Sequence, residues 1–188
     1  MSSIPVPCYD ALVIGGGPAG ATAALSMVRA GLSVRLVERT PHPRFHVGES
    51  FLPRNLTLLR DLGLEPALQS LTHVAKHGAE FLAGDGSTGY LFSFQEALLN
   101  PEPAAFNIER APFDAMILDA ARAAGTEVTE GVAVREIPVL EDGRVEAVLD
   151  TGERIAARYL VACCGGRSTI PGALDVRWEG TMVLSHNL

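Results

Sequence analysis

The fold is decided near the start of the chain by residues 10–21, Asp-Ala-Leu-Val-Ile-Gly-Gly-Gly-Pro-Ala-Gly-Ala. The short apolar run 9–14 enters this glycine-rich turn, and Ala and Leu then recur at helical spacing over 21–30 until Gly31. A second apolar run, Ser-Val-Arg-Leu-Val-Glu, occupies residues 33–38. This order predicts a strand, a tight turn, a helix and a second parallel strand, joined by a right-handed crossover.

The glycine spacing within this unit is that of a dinucleotide-binding turn. Gly15 permits the tight turn, Gly17 lets a pyrophosphate approach the backbone, and Gly20 lets the helix pack close to the strand. The helix N-terminus favours a diphosphate through its free N–H groups and its dipole. Glu38, eighteen residues after Gly20, can accept hydrogen bonds from ribose hydroxyls and would repel a phosphate on that ribose. The context favours a dinucleotide site over a plain strand-turn-helix connection.

The middle of the chain mixes a long loop with helical and hairpin patterns. Residues 40–51 are rich in Pro, His and Gly and predict a loop, the type of segment that commonly carries function. A helix is predicted over 53–62, and two β-prone runs within 80–94 predict a hairpin. The apolar stripe in 112–124 predicts another helix.

The remainder of the chain has the period of β-structure. Short alternating runs from 126 to 149, with turns at 141–144 and 150–152, predict an antiparallel meander. The last strand, within 154–163, is apolar enough to return to the buried parallel sheet. We therefore predict an α/β fold of the Rossmann type, with a mainly parallel sheet and an antiparallel meander.

Composition and charge restrict the classes of function. Twenty-two acidic residues against fifteen Lys and Arg give a net charge of −7, which disfavours nucleic-acid binding. The N-terminus has no basic and apolar leader pattern, and no apolar run reaches about 20 residues, so no membrane span and a cytoplasmic location are predicted. Cys8, Cys163 and Cys164 predict reduced thiols, and neither they nor the five His residues have metal-ligand spacing, so no metal is expected.

Three segments resemble a known family of flavoproteins. Residues 10–21, Val37-Glu38-Arg39 and residues 43–53, Pro-Arg-Phe-His-Val-Gly-Glu-Ser-Phe-Leu-Pro, resemble the opening of the flavin-dependent halogenases and their geranylgeranyl-reductase-like relatives. Residues 108–114, Ile-Glu-Arg-Ala-Pro-Phe-Asp, resemble the Arg-x-x-Phe-Asp segment that opens a helix in flavoproteins of the hydroxybenzoate-hydroxylase fold class. The resemblance covers most of residues 8–170 and implies an FAD-binding domain.

The resemblance also implies which residues contact FAD. These are Gly15, Gly17, Ala19 and Gly20 at the pyrophosphate, Glu38 and Arg39 at the adenosine end, Val134 at the adenine through its backbone, and Arg44, Gly48, Ser50 and Arg110 elsewhere on the cofactor. An alternative for Arg110 is a cap or salt bridge at a surface helix, and an alternative for Glu49 is a solvated loop acid.

One candidate catalytic residue follows from the same resemblance. Lys76 stands at a place similar to that of the halogenases' active-site lysine, which interacts with the hypohalous acid produced at the flavin. The alternative is an ordinary solvated lysine in a polar loop.

The C-terminal part departs from the family pattern. Cys164 stands where the aromatic-ring hydroxylases have an Asp, and a thiol is a much weaker hydrogen-bond acceptor. The chain reaches Leu188 without a later Gly-Asp segment or the halogenases' Trp-x-Trp-x-Ile-Pro motif, and its one tryptophan, Trp178, is expected to serve packing. We expect residues 1–188 to be a C-terminally truncated FAD-binding domain, with a partial substrate lobe inserted at about 72–106.

The expected function is that of an FAD-dependent oxidoreductase, a flavin-hydroperoxide monooxygenase or halogenase acting on a small organic substrate. NAD(P)H or a separate flavin reductase would supply the electrons. The alternatives are a catalytically silent FAD-binding fragment and a geranylgeranyl-reductase-like enzyme that saturates a lipid chain. An NAD-only dehydrogenase is less favoured because the Gly48-Glu49-Ser50 loop resembles flavoproteins.

Overall fold

The structure is a computed structural model that describes residues 8–97 and 102–165. Its elements, in chain order, are β1 Cys8–Ile14, α1 Pro18–Arg29, β2 Val34–Glu38, α2 Pro53–Asp61, α3 Glu65–Gln69, β3 His73–Lys76, β4 Gly78–Leu82, β5 Gly89–Ser93, a 3₁₀ turn Phe94–Glu96, β6 Ala105–Ile108, α4 Arg110–Ala123, β7 Glu127–Glu130, β8 Val134–Glu141, β9 Arg144–Leu149 and β10 Arg154–Ala162. Trp178 and the stretch after Gly165 lie outside the described residues.

The described chain divides into two compact units, and the first contains the large sheet. This unit holds residues 8–40 and 124–165. Its six strands lie in the order β7-β2-β1-β10-β9-β8. The pairs β7-β2, β2-β1 and β1-β10 are parallel, whereas β10-β9 and β9-β8 are antiparallel. The predicted α/β fold with a mostly parallel sheet is confirmed.

The core of the first unit follows from strands that are apolar along their whole length. All five residues of β2 are buried, as expected for a strand covered on both faces. Leu12 and Val37 pack with residues of the antiparallel strands, among them Val145, Leu149 and Ile155. Because β1 lies between β2 and β10, the residues that leave its C-terminal end enter the turn at the middle of the sheet.

A charged network lies at the end of the strands that is opposite to the glycine-rich turn. Arg35 is buried and pairs with the carboxylates of Glu127 and Glu153. Tyr9 donates its hydroxyl proton to Oε2 of Glu127 over 2.6 Å. Burial and the adjacent carboxylate raise the pKa of Tyr9 to about 12. This network lies where the parallel strands begin, so it is a feature of stability separate from the glycine-rich turn.

The second unit, residues 41–123, contains three helices and two short β-ladders. Strand β3 pairs with β6, and β4 pairs with β5, both antiparallel. Phe51, Phe106 and Phe113 form an aromatic cluster, with ring centroids 4.6 to 5.8 Å apart. This spacing is typical of favourable aromatic pairs.

Most predicted elements are present, and the meander needs one correction. The first βαβ unit, the hairpin and the helices at 53–61 and 110–123 are confirmed. The antiparallel meander, however, begins at Val134 and not at residue 126, because β7 pairs parallel with β2 at the other edge of the sheet. Strand β7 directly follows helix α4, and a strand that returns through a helix joins its neighbour in parallel. Alternation along 126–149 identifies strands but does not identify their partners.

No helix among the described residues is both long enough and apolar enough to cross a membrane.

Candidate functional site

The glycine-rich turn is packed too closely to admit side chains at two of its positions. Gly15 has φ +109°, and a Cβ there would lie 2.4 Å from the carbonyl oxygen of Cys163. A Cβ on Gly20 would lie 1.8 Å from the carbonyl oxygen of Gly15. The Gly15 N–H donates to the Val37 carbonyl over 2.9 Å. These contacts hold the start of α1 against the ends of the central strands.

The N-terminus of α1 has the properties of an anion site. Gly17 is its N-cap in an extended conformation, and Pro18 occupies the first helical position, where a missing N–H costs nothing. The amides of Ala19 and Gly20 belong to the first turn, which has no intrahelical acceptors for its N–H groups. That turn contains no acidic residue. A diphosphate therefore fits here in charge and in donor chemistry.

Glu38 lies at the end of β2 beside this turn, as predicted, and it already has two backbone donors. Its Oε2 accepts a hydrogen bond from the Gly16 N–H over 2.6 Å, and its Oε1 accepts one from the Thr40 N–H over 2.8 Å. The residue is only 5% exposed. A carboxylate has about four acceptor positions, so these bonds leave capacity for ribose hydroxyls. The bond to Gly16 is a relationship that the glycine spacing did not reveal.

Arg39 and Val134, the other two residues of the first unit that are predicted to contact FAD, differ in exposure. Arg39 follows β2 and is exposed. Val134 opens β8, and its side chain is buried in the same apolar cluster as Leu12 and Val37. Only the backbone of Val134 can therefore face a ligand, which is compatible with the adenine contact that the resemblance implies.

In the second unit, Arg110 forms a double contact with a buried acid one helical turn later. Its Nε donates to Oδ1 of Asp114 over 2.7 Å and its Nη2 donates to Oδ2 over 2.9 Å. Asp114 is fully buried. Nη1 of Arg110 also lies 3.3 Å from the carbonyl oxygen of Val47 and 3.4 Å from that of Gly48. A salt bridge was the alternative that the sequence analysis gave for Arg110. This salt bridge is present, and it holds the guanidinium against the backbone of residues 47–48.

Gly48 is required by this contact. Its φ is +117°, and an added Cβ would lie 3.1 Å from Nη1 of Arg110. The following residues are attached to β6, since Ile108 N–H donates to the Glu49 carbonyl and Phe51 N–H donates to the Phe106 carbonyl, each over 3.0 Å. The loop over 47–51 is therefore fixed at both of its ends.

Lys76 lies on strand β3 and not in a loop. Its Nζ donates to Oγ of Ser50 over 2.9 Å and lies 5.4 Å from the ring centroid of Phe94. The structure thus brings together two residues that the resemblance selected for different roles. Lys76 is also the single lysine of the chain, beside fourteen arginines. Lys76 is half-buried, and its contact with Ser50 is exposed.

Three further residues named in the sequence analysis, Arg44, Cys163 and Cys164, differ in their surroundings. Arg44 is half-buried in the loop that precedes Gly48. Cys163 faces α1, with its Cβ 3.2 Å from where a Gly20 Cβ would lie, whereas Cys164 packs against the apolar cluster around Leu12. Burial raises the pKa of the Cys163 thiol. Among the described residues there is no group of three or more His, Cys, Asp or Glu placed to hold a metal.

Several residues of these groups were not selected from the sequence. Asp114 carried a signal, because it follows Arg110 by four positions and therefore lies on the same helix face. Gly16 and Phe94 carried no local signal, since each meets its partner through the fold.

Comparison with known proteins agrees with this geometry. Residues 8–188 match the family model described as FAD binding domain. A flavin-dependent halogenase of Armillaria mellea, armH2, is 40% identical over 127 residues, which cover 67% of this chain and 24% of the relative. The 1H-pyrrole-2-carbonyl-[peptidyl-carrier protein] chlorinase of Pseudomonas fluorescens is 29% identical over 188 residues, which cover 90% of this chain and 42% of the relative.

Two solved structures have the same architecture. A flavoprotein/dehydrogenase from Cytophaga hutchinsonii superposes with a TM-score of 0.81 and 29% identity, over 93% of this chain and 44% of that chain. The flavin-dependent halogenase CmlS superposes with a TM-score of 0.79 and 31% identity, over 90% of this chain and 31% of that chain. The chain spans less than half the length of each of these four relatives. The glycine turn, the acid at the end of β2 and the matched family model agree, and the chain belongs to the family of FAD binding domains.

Proposed function

We propose that this chain is the FAD-binding part of a flavin-dependent halogenase acting on a small organic substrate. The observation that carries the proposal is the environment of Lys76, whose ammonium group donates to the hydroxyl of Ser50 and lies 5.4 Å from the ring centroid of Phe94. Similarity to halogenases of fungi and bacteria supports the same assignment.

The cofactor residues follow from the two groups described above. In the first unit, we propose that the amides of Gly17, Ala19 and Gly20 bind the diphosphate and that Glu38 binds the ribose hydroxyls. Gly15 shapes the turn, as its φ and its contact with Cys163 support.

We propose that Arg39 and the backbone of Val134 contact the adenosine part of FAD. In the second unit we propose Arg44 and the loop with Gly48 and Ser50. Arg110 contributes mainly through that loop, because its guanidinium is largely committed to Asp114.

The chemistry that FAD supplies when bound is the reductive activation of dioxygen, which provides the oxidant for halide or substrate. The part of Lys76 would be electrostatic, because its ammonium group can donate hydrogen bonds to an oxidised halogen species and orient it. The electrons would come from NAD(P)H or from a separate flavin reductase. A cytoplasmic location stays a prediction of the sequence.

The first experiment measures FAD binding by the purified 188-residue chain. Visible flavin absorbance after gel filtration should be stoichiometric for the parent, strongly reduced for Gly17→Val and Glu38→Ala, and unchanged for Gly84→Ala, which changes an open position of the hairpin loop. Gly17→Val places a side chain in front of the helix N-terminus, and Glu38→Ala removes the ribose acceptor. A folded parent that stays colourless with excess FAD would contradict the proposal and favour the silent-fragment alternative.

The second experiment separates halogenation from other flavin chemistry. With reduced flavin, dioxygen, bromide and an electron-rich phenol as probe, we expect brominated product from the parent, measured by mass spectrometry. The amount of product per flavin reoxidised should fall to background in Lys76→Ala. Equal bromination by this variant would remove Lys76 from the mechanism, and hydroxylated product without bromination would favour the monooxygenase alternative.

A further inference from the structure

We propose that Ser50 is a positioning residue for Lys76: its hydroxyl orients the ammonium group so that the remaining N–H groups of Lys76 are directed to a bound ligand. The proposal rests on the halogenase function proposed above for Lys76. It assigns to Ser50 a role toward a side chain of the protein, in addition to the cofactor contact that the resemblance implies.

The strand pairing places the two side chains on one face. Val74 of β3 lies opposite Asn107 of β6, and Asn107 lies opposite Ser50 on the other side of β6. Directly opposed residues of antiparallel strands share a face, and so do residues two apart on one strand. Lys76, two residues after Val74, is therefore on the same face as Ser50.

The distance across this face suits the length of a lysine side chain. Ser50 and β3 lie on opposite sides of β6, so their backbones are roughly 10 Å apart, two strand spacings of about 4.8 Å. The four-carbon stem of Lys76 extends across the strand and brings Nζ to 2.9 Å from the hydroxyl. A shorter cation at position 76 would not reach Ser50, and a planar guanidinium would present its donors in a different geometry.

The partners of the ammonium group restrict its direction. One N–H is used by Ser50, and the ring of Phe94, itself buried, lies 5.4 Å away in a cation–π contact. An ammonium group has three donors, so two remain for a ligand. The backbone of Ser50 is held in turn by the bonds of Glu49 and Phe51 to β6. The backbone that carries the hydroxyl is therefore held in place, and the hydroxyl in turn accepts from Nζ of Lys76.

The single lysine makes the contact measurable without turnover. We would treat the full chain with a low concentration of an acetylating reagent and follow Lys76 and the N-terminal amine by peptide mass spectrometry, with the N-terminus as internal reference. In Ser50→Ala the relative rate at Lys76 should rise roughly tenfold or more, the change that the loss of one hydrogen bond to a charged group corresponds to. Ser50→Thr keeps the hydroxyl and should restore the parent rate, and a melting temperature equal to the parent's excludes general loosening.

The same variants give the functional readout in a protein that brominates. Ser50→Ala should lower the brominated product per flavin reoxidised, and Ser50→Thr should recover most of it. If the role of Ser50 were merely structural, Ser50→Ala would lower the melting temperature, and product formation would not fall in Ser50→Ala and recover in Ser50→Thr.

The outcomes distinguish the two proposals. Equal acetylation rates in the parent and Ser50→Ala would overturn the positioning role whatever the halogenation result. A faster rate in Ser50→Ala together with normal bromination by Lys76→Ala would confirm the contact but overturn its catalytic purpose, because Lys76 would then have no part in the proposed halogenation.

Discussion

Oε2 of Glu38 and the backbone N–H of Gly16 are joined by a hydrogen bond of 2.6 Å, so the acid at the end of β2 is attached directly to the glycine turn. The other oxygen of the same carboxylate binds the N–H of Thr40. One buried side chain therefore connects the glycine turn with the start of the loop after β2. Glu38 shapes the protein side of the turn in addition to the ribose contact proposed for it.

Replacement of Glu38 by Gln tests this double use. The amide keeps the size of the side chain but presents an NH₂ group to one of the two backbone donors. Since hydrogen bonds to charged groups contribute about 1.5–3 kcal/mol, we expect FAD affinity to fall roughly 10- to 150-fold. Quenching of flavin fluorescence measures the affinity. Glu80→Gln, which changes an exposed acid of the hairpin, should leave it unchanged, and an equally tight Glu38→Gln would show that the charge is dispensable.

Gly20→Ala should prevent the close packing of α1. The new Cβ would meet the Gly15 carbonyl at 1.8 Å, and a backbone atom cannot move aside without displacing the turn. We expect loss of FAD binding together with a lower melting temperature, measured by circular dichroism. Gly84→Ala adds the same methyl group where no heavy atom lies within 4 Å, and it should behave as the parent. A Gly20→Ala protein with parental stability would show that the contact is looser than described.

Asp114→Asn should destabilise the protein by about 3–5 kcal/mol, because it leaves the guanidinium of Arg110 largely buried without its counter-charge. Urea unfolding, followed by the circular dichroism of the backbone, gives the free energy of unfolding. Asp119→Asn is a matched control on the same helix, since Asp119 pairs with Arg122 at the surface. That variant should cost less than about 1 kcal/mol. Equal costs for both variants would show that burial of the Arg110 pair has no energetic weight.

Because of Tyr9, the free energy of unfolding should decrease at alkaline pH. Its pKa is raised to about 12 in the folded protein, so the unfolded chain, with a tyrosine pKa near 10, loses this proton first. The contribution is complete below about pH 10 and is lost as the pH rises toward 12. We expect the free energy of unfolding to decline across this interval, and to decline less steeply in Tyr9→Phe. Tyr90→Phe, an exposed site, should keep the parental slope.

The first unit was predictable from sequence to the extent that its signals are local. Glycines at 15, 17 and 20, apolar runs on both sides and an acid at 38 are features of one short segment, and they identified the βαβ unit and its ligand. The parallel pairing of β7 with β2 was missed because it depends on the crossover through α4. Alternation of side chains is the same for either edge of a sheet.

The environment of Lys76 was beyond sequence reasoning for a related reason. Strand β3 has only four residues and exists through its pairing with β6, about thirty positions later in the chain. The contact with Ser50 further requires residues 49–51 to lie on the side of β6 that faces away from β3. The resemblance selected both residues, but nothing in their spacing indicated that they meet.

The position of β10 beside β1 has a consequence for how the protein is made. Cys8 pairs with Ala156, 148 positions later in the chain, and the N–H of Cys163 donates to the carbonyl of Ile14. At roughly 5–20 residues per second, a ribosome needs about 7–30 s to make the intervening chain. During that interval the inner strand of the sheet has an unpaired edge and the glycine turn lacks the backbone it packs against. The nascent chain is therefore exposed to wrong strand pairing at β1 until β10 emerges, and the packing of the glycine turn is completed only then.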